Sequence, residues 1–341
     1  MSKAVLGVGI RGAGQVSYEH AKAVENNPNL YLAAVCSRSE SSARKLAARF
    51  NPDATVYKDY REMLADSKVQ VVSVCMPNYL HAQEAIQALE ANKHLILEKP
   101  VAINYEELNA LRNAVQKAET KSVVSFVLRW HPMVSNLKAL LDNNAIGEIY
   151  YAEADYWHGI KKTFSSYNWI RQQRFAGGAM ISGGCHAADL LRYLTGKEAE
   201  EVFAYRCRRR SDFDYDTTLV ATIKFRDDSI GKLSATLDGL HFPYQFNIDL
   251  LGTEGAIRNN RIYSKTLFPE QTDFVTIPSD IPGSAAVTHH PFQQEIDNFT
   301  EHILHNKPVL SDILDACNST EIVLAIETSA KTAKPVRISG S

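Results

Sequence analysis

The stretch LGVGIRGAGQVSYEH, Leu6 to His20, decides how the first part of the chain is read. Its glycines fit a phosphate-binding turn in two registers, Gly7-x-Gly9-x-x-Gly12 or Gly12-x-Gly14-x-x-Ser17. Such a turn belongs between the end of a β-strand and the first turn of a helix, where unpaired N–H groups and the positive end of the helix dipole meet a pyrophosphate. The apolar run from Ala4 to Ile10 reads as the strand, and a helix opens near Gln15, which selects the second register. Gly12 then serves the tight turn, Gly14 lets the backbone approach a dinucleotide, and Ser17 is small enough for close helix packing. Gly7 and Gly9 fall inside the strand, where small residues permit close backbone packing.

Outward from this turn, short apolar runs alternate with amphipathic segments. LYLAAVC, VQVVSVCMP, KHLILEKP and KSVVSFV read as strands. The second of these is apolar almost throughout, as expected for a strand covered on both faces of a parallel sheet. SESSARKLAARF reads as a helix opened by a serine cap, with Ala43, Leu46, Ala47 and Phe50 on one face, and NYEELNALRNAVQKA as a helix capped at Asn104. The pattern predicts a doubly wound parallel sheet of the Rossmann type over residues 1–125. From about residue 149 the periodicity changes to two, in IYYAEADYW, EVFAYRCR, TTLVATIKF, IGKLSATL, FNIDLLG and FVTI. Residues 126–341 are therefore expected to form an α+β domain on a large, open, mostly antiparallel sheet. A helix, GAMISGGCHAADLLRYLTG, interrupts the strands, and two more close the chain. With no sequence element left to cover its outer face, the sheet is expected to mediate a homodimer or homotetramer.

The bulk numbers narrow the classes. The chain has 341 residues, 45% apolar and 22% charged, with a net charge of −2. That balance argues against nucleic-acid binding; the basic run Arg206 to Arg210 reads as a solvated strand end. No segment is apolar enough for a membrane span, and the first ten residues lack the pattern of a signal peptide. Five scattered cysteines fit reduced, mostly buried thiols and a cytoplasmic setting. His289 and His290 lack partners at ligand spacing, so no metal site is expected.

The second strand ends at Ser37 and Arg38, where an NAD enzyme usually carries an acidic residue for the ribose hydroxyls. A hydroxyl and a guanidinium can bind a 2′-phosphate, which leans the cofactor from NAD toward NADP, or toward acceptance of both. Glu98-Lys99-Pro100 follows the strand KHLIL at the carboxyl edge of the sheet, where ligands bind in such folds. A partly desolvated lysine there can donate or relay a proton. His186 sits in an otherwise apolar helix, by default a packed core residue. Arg129 and His131 in LRWHP, Tyr156, Trp157 and His158 in DYWHG, and Tyr167, Trp169 and Arg171 in YNWIRQQR offer aromatic faces and directional donors suited to a sugar ring.

LILEKPVA, the longer CMPNYLHAQEAIQALEANKHLILEKP, GGAMISGGCHAADLLRYLTG and the C-terminal GTEGAI, HPFQQEIDNFTEHI and IVLAIETSAKTAKPVRI resemble the glucose–fructose oxidoreductase/inositol dehydrogenase/rhizopine catabolism (Gfo/Idh/MocA) family over nearly the full length. The resemblance implies an NAD(P)-dependent oxidoreductase acting on a carbohydrate or cyclic polyol. It makes Lys99 the partner of the reacting hydroxyl and the bond to Pro100 cis. It makes His186 the base that takes the hydroxyl proton while hydride leaves the same carbon. It sets Pro77, Asn78, His81, Glu98 and Lys99 against the cofactor, with Gly12, Gly14, Gln15, Ser37 and Arg38. Substrate contacts then fall to Lys99, Arg129, Trp157, His158, Trp169, Ser182 and His186. The family usually carries Asp where this chain has Ser182, four residues before His186, so the stabilisation of an imidazolium by that carboxylate is missing. Asp189 reads as structural. Two other activities fit the same residues: redox-assisted cleavage of a glycosidic bond with NAD, and a non-catalytic NAD(P)-sensing regulator. The second would not need Lys99 and His186 together.

Overall fold

The computed structural model describes residues 5–238, 244–282 and 290–339. The chain divides into two compact units, Met1–Val127 with Ala286–Cys317, and Leu128–Ala285 with Asn318–Ser341.

In the first unit the elements run β1 (Leu6–Arg11), α1 (Gln15–Asn26), β2 (Leu30–Cys36), α2 (Glu40–Phe50), β3 (Thr55–Tyr57), α3 (Tyr60–Ala65), β4 (Val71–Val74), α4 (His81–Glu90), β5 (His94–Leu97), α5 (Tyr105–Lys117) and β6 (Ser122–Val124). The six strands are parallel, in the order β3-β2-β1-β4-β5-β6. This is the doubly wound sheet, with its change of direction between β1 and β4. The caps follow the sequence: Ser39 accepts from Ser42 N–H at the start of α2, and Asn104 accepts from Glu107 N–H at the start of α5. Ala43, Leu46 and Ala47 of α2 are buried, while Phe50 at its end is only partly covered.

The second unit comprises α6 (Pro132–Asp142), β7 (Ile149–Trp157), the one-turn helices α7 (Tyr167–Ile170) and α8 (Gln173–Ala176), a π-helical turn at Met180–Gly184, and α9 (Cys185–Thr195). There follow β8 (Ala199–Cys207), β9 (Thr218–Phe225), β10 (Ile230–Thr236), β11 (Gln245–Gly252), β12 (Gly255–Arg258), β13 (Arg261–Ser264) and β14 (Val275–Thr276). The nine-stranded sheet has the order β14-β13-β12-β11-β7-β10-β9-β8-β15, where β15 is Val336–Arg337. All pairings are antiparallel except β7 with β10, which run parallel. One face packs under α9 and the π-turn. The other exposes Tyr205 beside Val220, and Ile230 and Leu251 on either side of Tyr151.

The sequence reading kept residues 126–341 together, whereas α10 (Phe292–His305) belongs to the first unit. Its residues are claimed by long-range partners there. Asn27 Nδ2 donates to Asp297 at 2.7 Å, Ser125 Oγ donates to Glu295 at 2.8 Å, and the rings of His20 and Phe292 lie 4.8 Å apart. The last long helix, α11 (Ile313–Thr332), contains the return to the second unit, at Asn318. No helix among the described residues is long and apolar enough to cross a membrane.

Candidate active site

The first unit supplies a dinucleotide cradle. Gly12 has φ of +109°, and a Cβ there would sit 2.3 Å from the Cys75 carbonyl oxygen, so glycine is required by both conformation and space. A Cβ on Gly14, by contrast, would meet nothing within 4 Å. Among the described residues nothing packs over Gly14, which leaves its backbone open to a ligand. Helix α1 begins there at Gln15, with no side-chain cap and no acidic residue in its first turn. The Ser17 hydroxyl is buried without a hydrogen-bond partner. An uncapped helix start beside an open glycine fits a pyrophosphate. Gly7 is packing: a Cβ would lie 1.9 Å from the Lys68 carbonyl oxygen. Ser37 and Arg38 follow β2; the Ser37 hydroxyl accepts from Ser39 N–H at 3.3 Å, and Arg38 is exposed. The last residue of β1, Arg11, is less accessible. It forms a two-pronged ion pair with Glu84 at 2.8 and 2.9 Å and stacks over Tyr60.

At the end of β5 the Lys99–Pro100 bond is cis, Glu98 is buried and Lys99 is half-buried. Two imidazoles hold this turn. His81 has Nδ1 2.7 Å from the Pro100 carbonyl oxygen and Nε2 2.6 Å from that of Met76. A neutral ring donates to one of these and only the imidazolium to both; burial works against the imidazolium and keeps the pKa below the usual value. Both nitrogens of His81 thus face main-chain carbonyls. His20 stands between the Ser73 hydroxyl, 2.9 Å from Nδ1, and Glu98, 3.1 Å from Nε2. Burial opposes its charge, but Cys75 and Glu98 outweigh burial and lift the pKa well above the usual value. Burial pushes the Glu98 carboxyl up, and the hydrogen bond and charge of His20 more than reverse this. Asn78 is buried in the 3₁₀ turn that follows Pro77. Sequence reasoning missed His20; its one signal was a histidine on the first helix three residues after Ser17, and its partners lie 53 and 78 residues away.

In the second unit His186 is buried at the start of α9. Its ring lies 5.4 Å from that of Tyr156 at an interplanar angle of 25°. The π-turn before it presses on the sheet through two glycines. A Cβ on Gly183 would lie 2.8 Å from Tyr156 Cε1, and one on Gly184 2.3 Å from Met180 Sδ and 3.0 Å from Ala235 Cβ. Ser182 is buried in this turn, and its hydroxyl donates to the Ala176 carbonyl at 2.8 Å. Tyr156, His158, Phe164 and Tyr244 form an aromatic cluster beside His186, with ring centroids 5.4 to 6.0 Å apart.

Two expected substrate residues are placed otherwise. Arg129 is buried and makes a bidentate pair with Asp189, 2.8 Å from Nε and 2.6 Å from Nη2, and its guanidinium lies over Tyr193. Ser319 also donates to Asp189 at 2.9 Å and accepts from Arg192 at 3.0 Å. Arg129 is therefore spent on fixing α9, the structural part that the sequence reading gave to Asp189. Trp157 follows Tyr156 on β7, so its side chain points to the opposite sheet face, where its indole N–H donates to Ser234 at 2.8 Å. Trp169 is half-buried in α7, and His131 caps α6 by accepting from Met133 N–H at 3.2 Å. In the basic run, Arg206 pairs with Asp216, and Arg210 turns inward to Asp212 and the carbonyls of Ile160 and Leu237. Of the two adjacent histidines, His289 lies outside the described residues.

A Rossmann unit with an open glycine turn, joined to a mostly antiparallel-sheet unit with a buried histidine beside an aromatic cluster, has the architecture of a nucleotide-dependent oxidoreductase. Residues 6–126 match the oxidoreductase family with an NAD-binding Rossmann fold, and residues 138–338 match its C-terminal alpha/beta domain. The chain belongs to this Gfo/Idh/MocA family. It is 26% identical to scyllo-inositol 2-dehydrogenase (NAD(+)) of Bacillus subtilis, covering 96% of this chain and 95% of that one. It is 32% identical to D-glucoside 3-dehydrogenase of Escherichia coli over 58% of this chain and 56% of that one. The fold matches the crystal structure of an oxidoreductase domain protein from Kribbella flavida with a TM-score of 0.86 at 24% identity, over 98% and 99% of the two chains.

Proposed function

We propose that the protein is an NAD(P)-dependent dehydrogenase that oxidises a ring CH–OH of a sugar, glycoside or cyclic polyol. The observation that carries this reading is the presence in one chain of a braced Glu98-Lys99-Pro100 turn and of a glycine-led helix holding His186 against an aromatic cluster. Gly12, Gly14 and Gln15 would hold the cofactor's pyrophosphate, and Asn78 and Glu98 its nicotinamide end. A bound nicotinamide would accept the hydride. Lys99 donates a hydrogen bond to the reacting oxygen and disfavours its protonated form, and His186 takes the hydroxyl proton. His158 and Tyr244, both partly exposed, offer rings to the apolar side of the sugar, with Tyr156 behind them against His186. Ser182 carries no charge, so the imidazolium formed on His186 lacks the nearby carboxylate usual in the family. Arg38, exposed and without an acidic neighbour in Ser37, accepts a 2′-phosphate, so NADP is used as well as NAD. The exposed sheet face, with Tyr205 68% and Ile230 56% accessible, supports a homodimer or homotetramer.

The test is a screen of inositols, free hexoses and glycosides with each cofactor, following growth of the reduced-nicotinamide absorbance. Steady reduction with one of these classes supports the reading. Sugar release from a glycoside without net reduction would replace it with redox-assisted cleavage, and binding of cofactor with no turnover of any class would overturn it.

A further inference from the structure

The lead-in to α9 is held from behind by a carboxylate that the reaction itself does not use. Glu327 projects from α11, is buried, and accepts a hydrogen bond from the Met180 N–H at 3.0 Å. It also fills the space beside Gly178. A Cβ on that glycine would lie 2.2 Å from Glu327 Oε1 and 2.5 Å from Cδ, and Gly178 has φ of +155°. Gly177, one residue earlier, has φ of +87°. The chain thus turns through two glycines around one carboxylate and enters the π-turn at the residue whose N–H that carboxylate binds. The far side of the same turn is jammed against Tyr156 and Ala235 through Gly183 and Gly184. Contacts at both ends of this segment constrain the rotation of α9, and His186 is the second residue of that helix.

We propose that Glu327 is a positioning residue for His186: its carboxylate, seated beside Gly178 and bound to the Met180 N–H, sets where the π-turn begins and so where the imidazole lies against Tyr156. The proposal deepens the reading of His186 as proton acceptor and rests on it for the kinetic effect, though not for the structural one. The π-turn is the consistent detail. A widened helical turn is seldom kept unless its neighbours force it, and such turns occur often at functional sites. Met180 N–H is one of the first donors of the helix, which no side chain of the turn itself caps. Arg206 at the end of β8, Asp216 in the following loop and Lys331 one turn further along α11 act electrostatically on Glu327, and Arg208 and Asp214 line the same cavity. Arg206 is already paired with Asp216. The bond to Met180 therefore defines the carboxylate's position.

The experiment compares Glu327→Gln, which keeps an acceptor of the same length, with Glu327→Ala, which removes it. Two readouts are taken on the full-length enzyme. The first is kcat, KM and NAD affinity with the best substrate. The second is the His186 imidazole signal in 15N-histidine-labelled protein, assigned by its loss in His186→Gln. Glu327→Ala is expected to lower kcat by about tenfold or more, since an ångström of misplacement at a reacting group can cost ~10²-fold. KM and NAD affinity should change less than about threefold, and the His186 signal should move. Glu327→Gln should restore kcat to within about threefold and return the signal to its wild-type position. If Glu327→Ala is too unstable to assay, Glu327→Asp, one methylene short of the Met180 N–H, takes its place with the same expectations. Wild-type kcat with an unmoved His186 signal in the alanine or aspartate variant would overturn the proposal, as would a glutamine variant as impaired as the alanine one. A moved signal with unchanged kcat would uphold the positioning and refute instead the catalytic reading of His186.

Discussion

The turn carrying Lys99 and the helix carrying His186 are held in place by opposite chemistry. Around Lys99 the braces are imidazoles: His81 between the carbonyls of Met76 and Pro100, and His20 between Ser73 and Glu98. Around His186 they are carboxylates: Glu327 on the Met180 N–H, and Asp189 on Arg129 and Ser319. In each unit the group read as chemical is half-buried or buried among side chains whose own polar atoms are occupied by neighbours. The difference shows where function can and cannot be read from residue type. Arginine, histidine and aspartate look alike in sequence whether they meet a substrate or fix a helix, and only the partner decides.

Removing a brace should therefore act on the fold, and removing a chemical group on the rate. The largest effect on stability is expected for Arg129→Ala, which leaves Asp189 buried without the guanidinium that pairs with it. Breaking a buried pair of this kind costs about 3–5 kcal/mol. The measurement is urea or thermal unfolding alongside KM. A raised KM with an unchanged unfolding midpoint would return Arg129 to substrate recognition.

Glu295 offers a smaller test, on the imidazole-braced side. Burial raises its pKa from 4.5 to about 7, against the pull of His20 and the Ser125 hydroxyl and with the help of Glu98. A carboxyl whose folded pKa is raised binds its proton more tightly when folded. Its contribution is thus fully present below the unfolded value and is lost as pH rises through about 7. Relative to the wild type, Glu295→Gln should gain on the order of 2 kcal/mol of stability between pH 5 and pH 8. Parallel stability–pH curves for the two proteins would show that the carboxyl is not perturbed by its burial.

The smallest effect concerns the cofactor. Arg38→Ala should weaken NADP binding by about tenfold, the worth of one charge-assisted contact, and leave NAD nearly unchanged. Equal losses for both cofactors would show that Arg38 does not read the 2′ position.

Most of the architecture was legible because it rests on local rules. The strand–turn–helix at Leu6–Asn26, the asparagine cap at Asn104 and the change from βα alternation to period-two strands all follow from neighbours in sequence. The parallel pairing of β7 with β10 was not legible, because it joins strands about 80 residues apart and neither strand signals its direction. The placement of Trp157 was not legible because β7 puts its side chain on the face opposite Tyr156, and which face is covered depends on where α9 lies. The ion pair of Arg129 was not legible because its partner, Asp189, is 60 residues away. The return of α10 to the first unit was missed for the same reason: Ser125 and Glu295 are 170 residues apart. The Gly177-Gly178 pair was visible as glycines, but the carboxylate that requires one of them comes from the last long helix.

The central claim, that Lys99 and His186 are the chemical groups and their neighbours are supports, is tested most directly by kcat and NAD affinity of Lys99→Ala and His186→Ala with the best substrate from the screen. Each variant should lose about 10² or more in kcat, as for loss of a general acid–base group, while His186→Ala, which removes no cofactor contact, should bind NAD within about twofold of the wild type. A His186→Ala enzyme that turns over at close to the wild-type rate would contradict the account and leave His186 as a histidine packed against Tyr156.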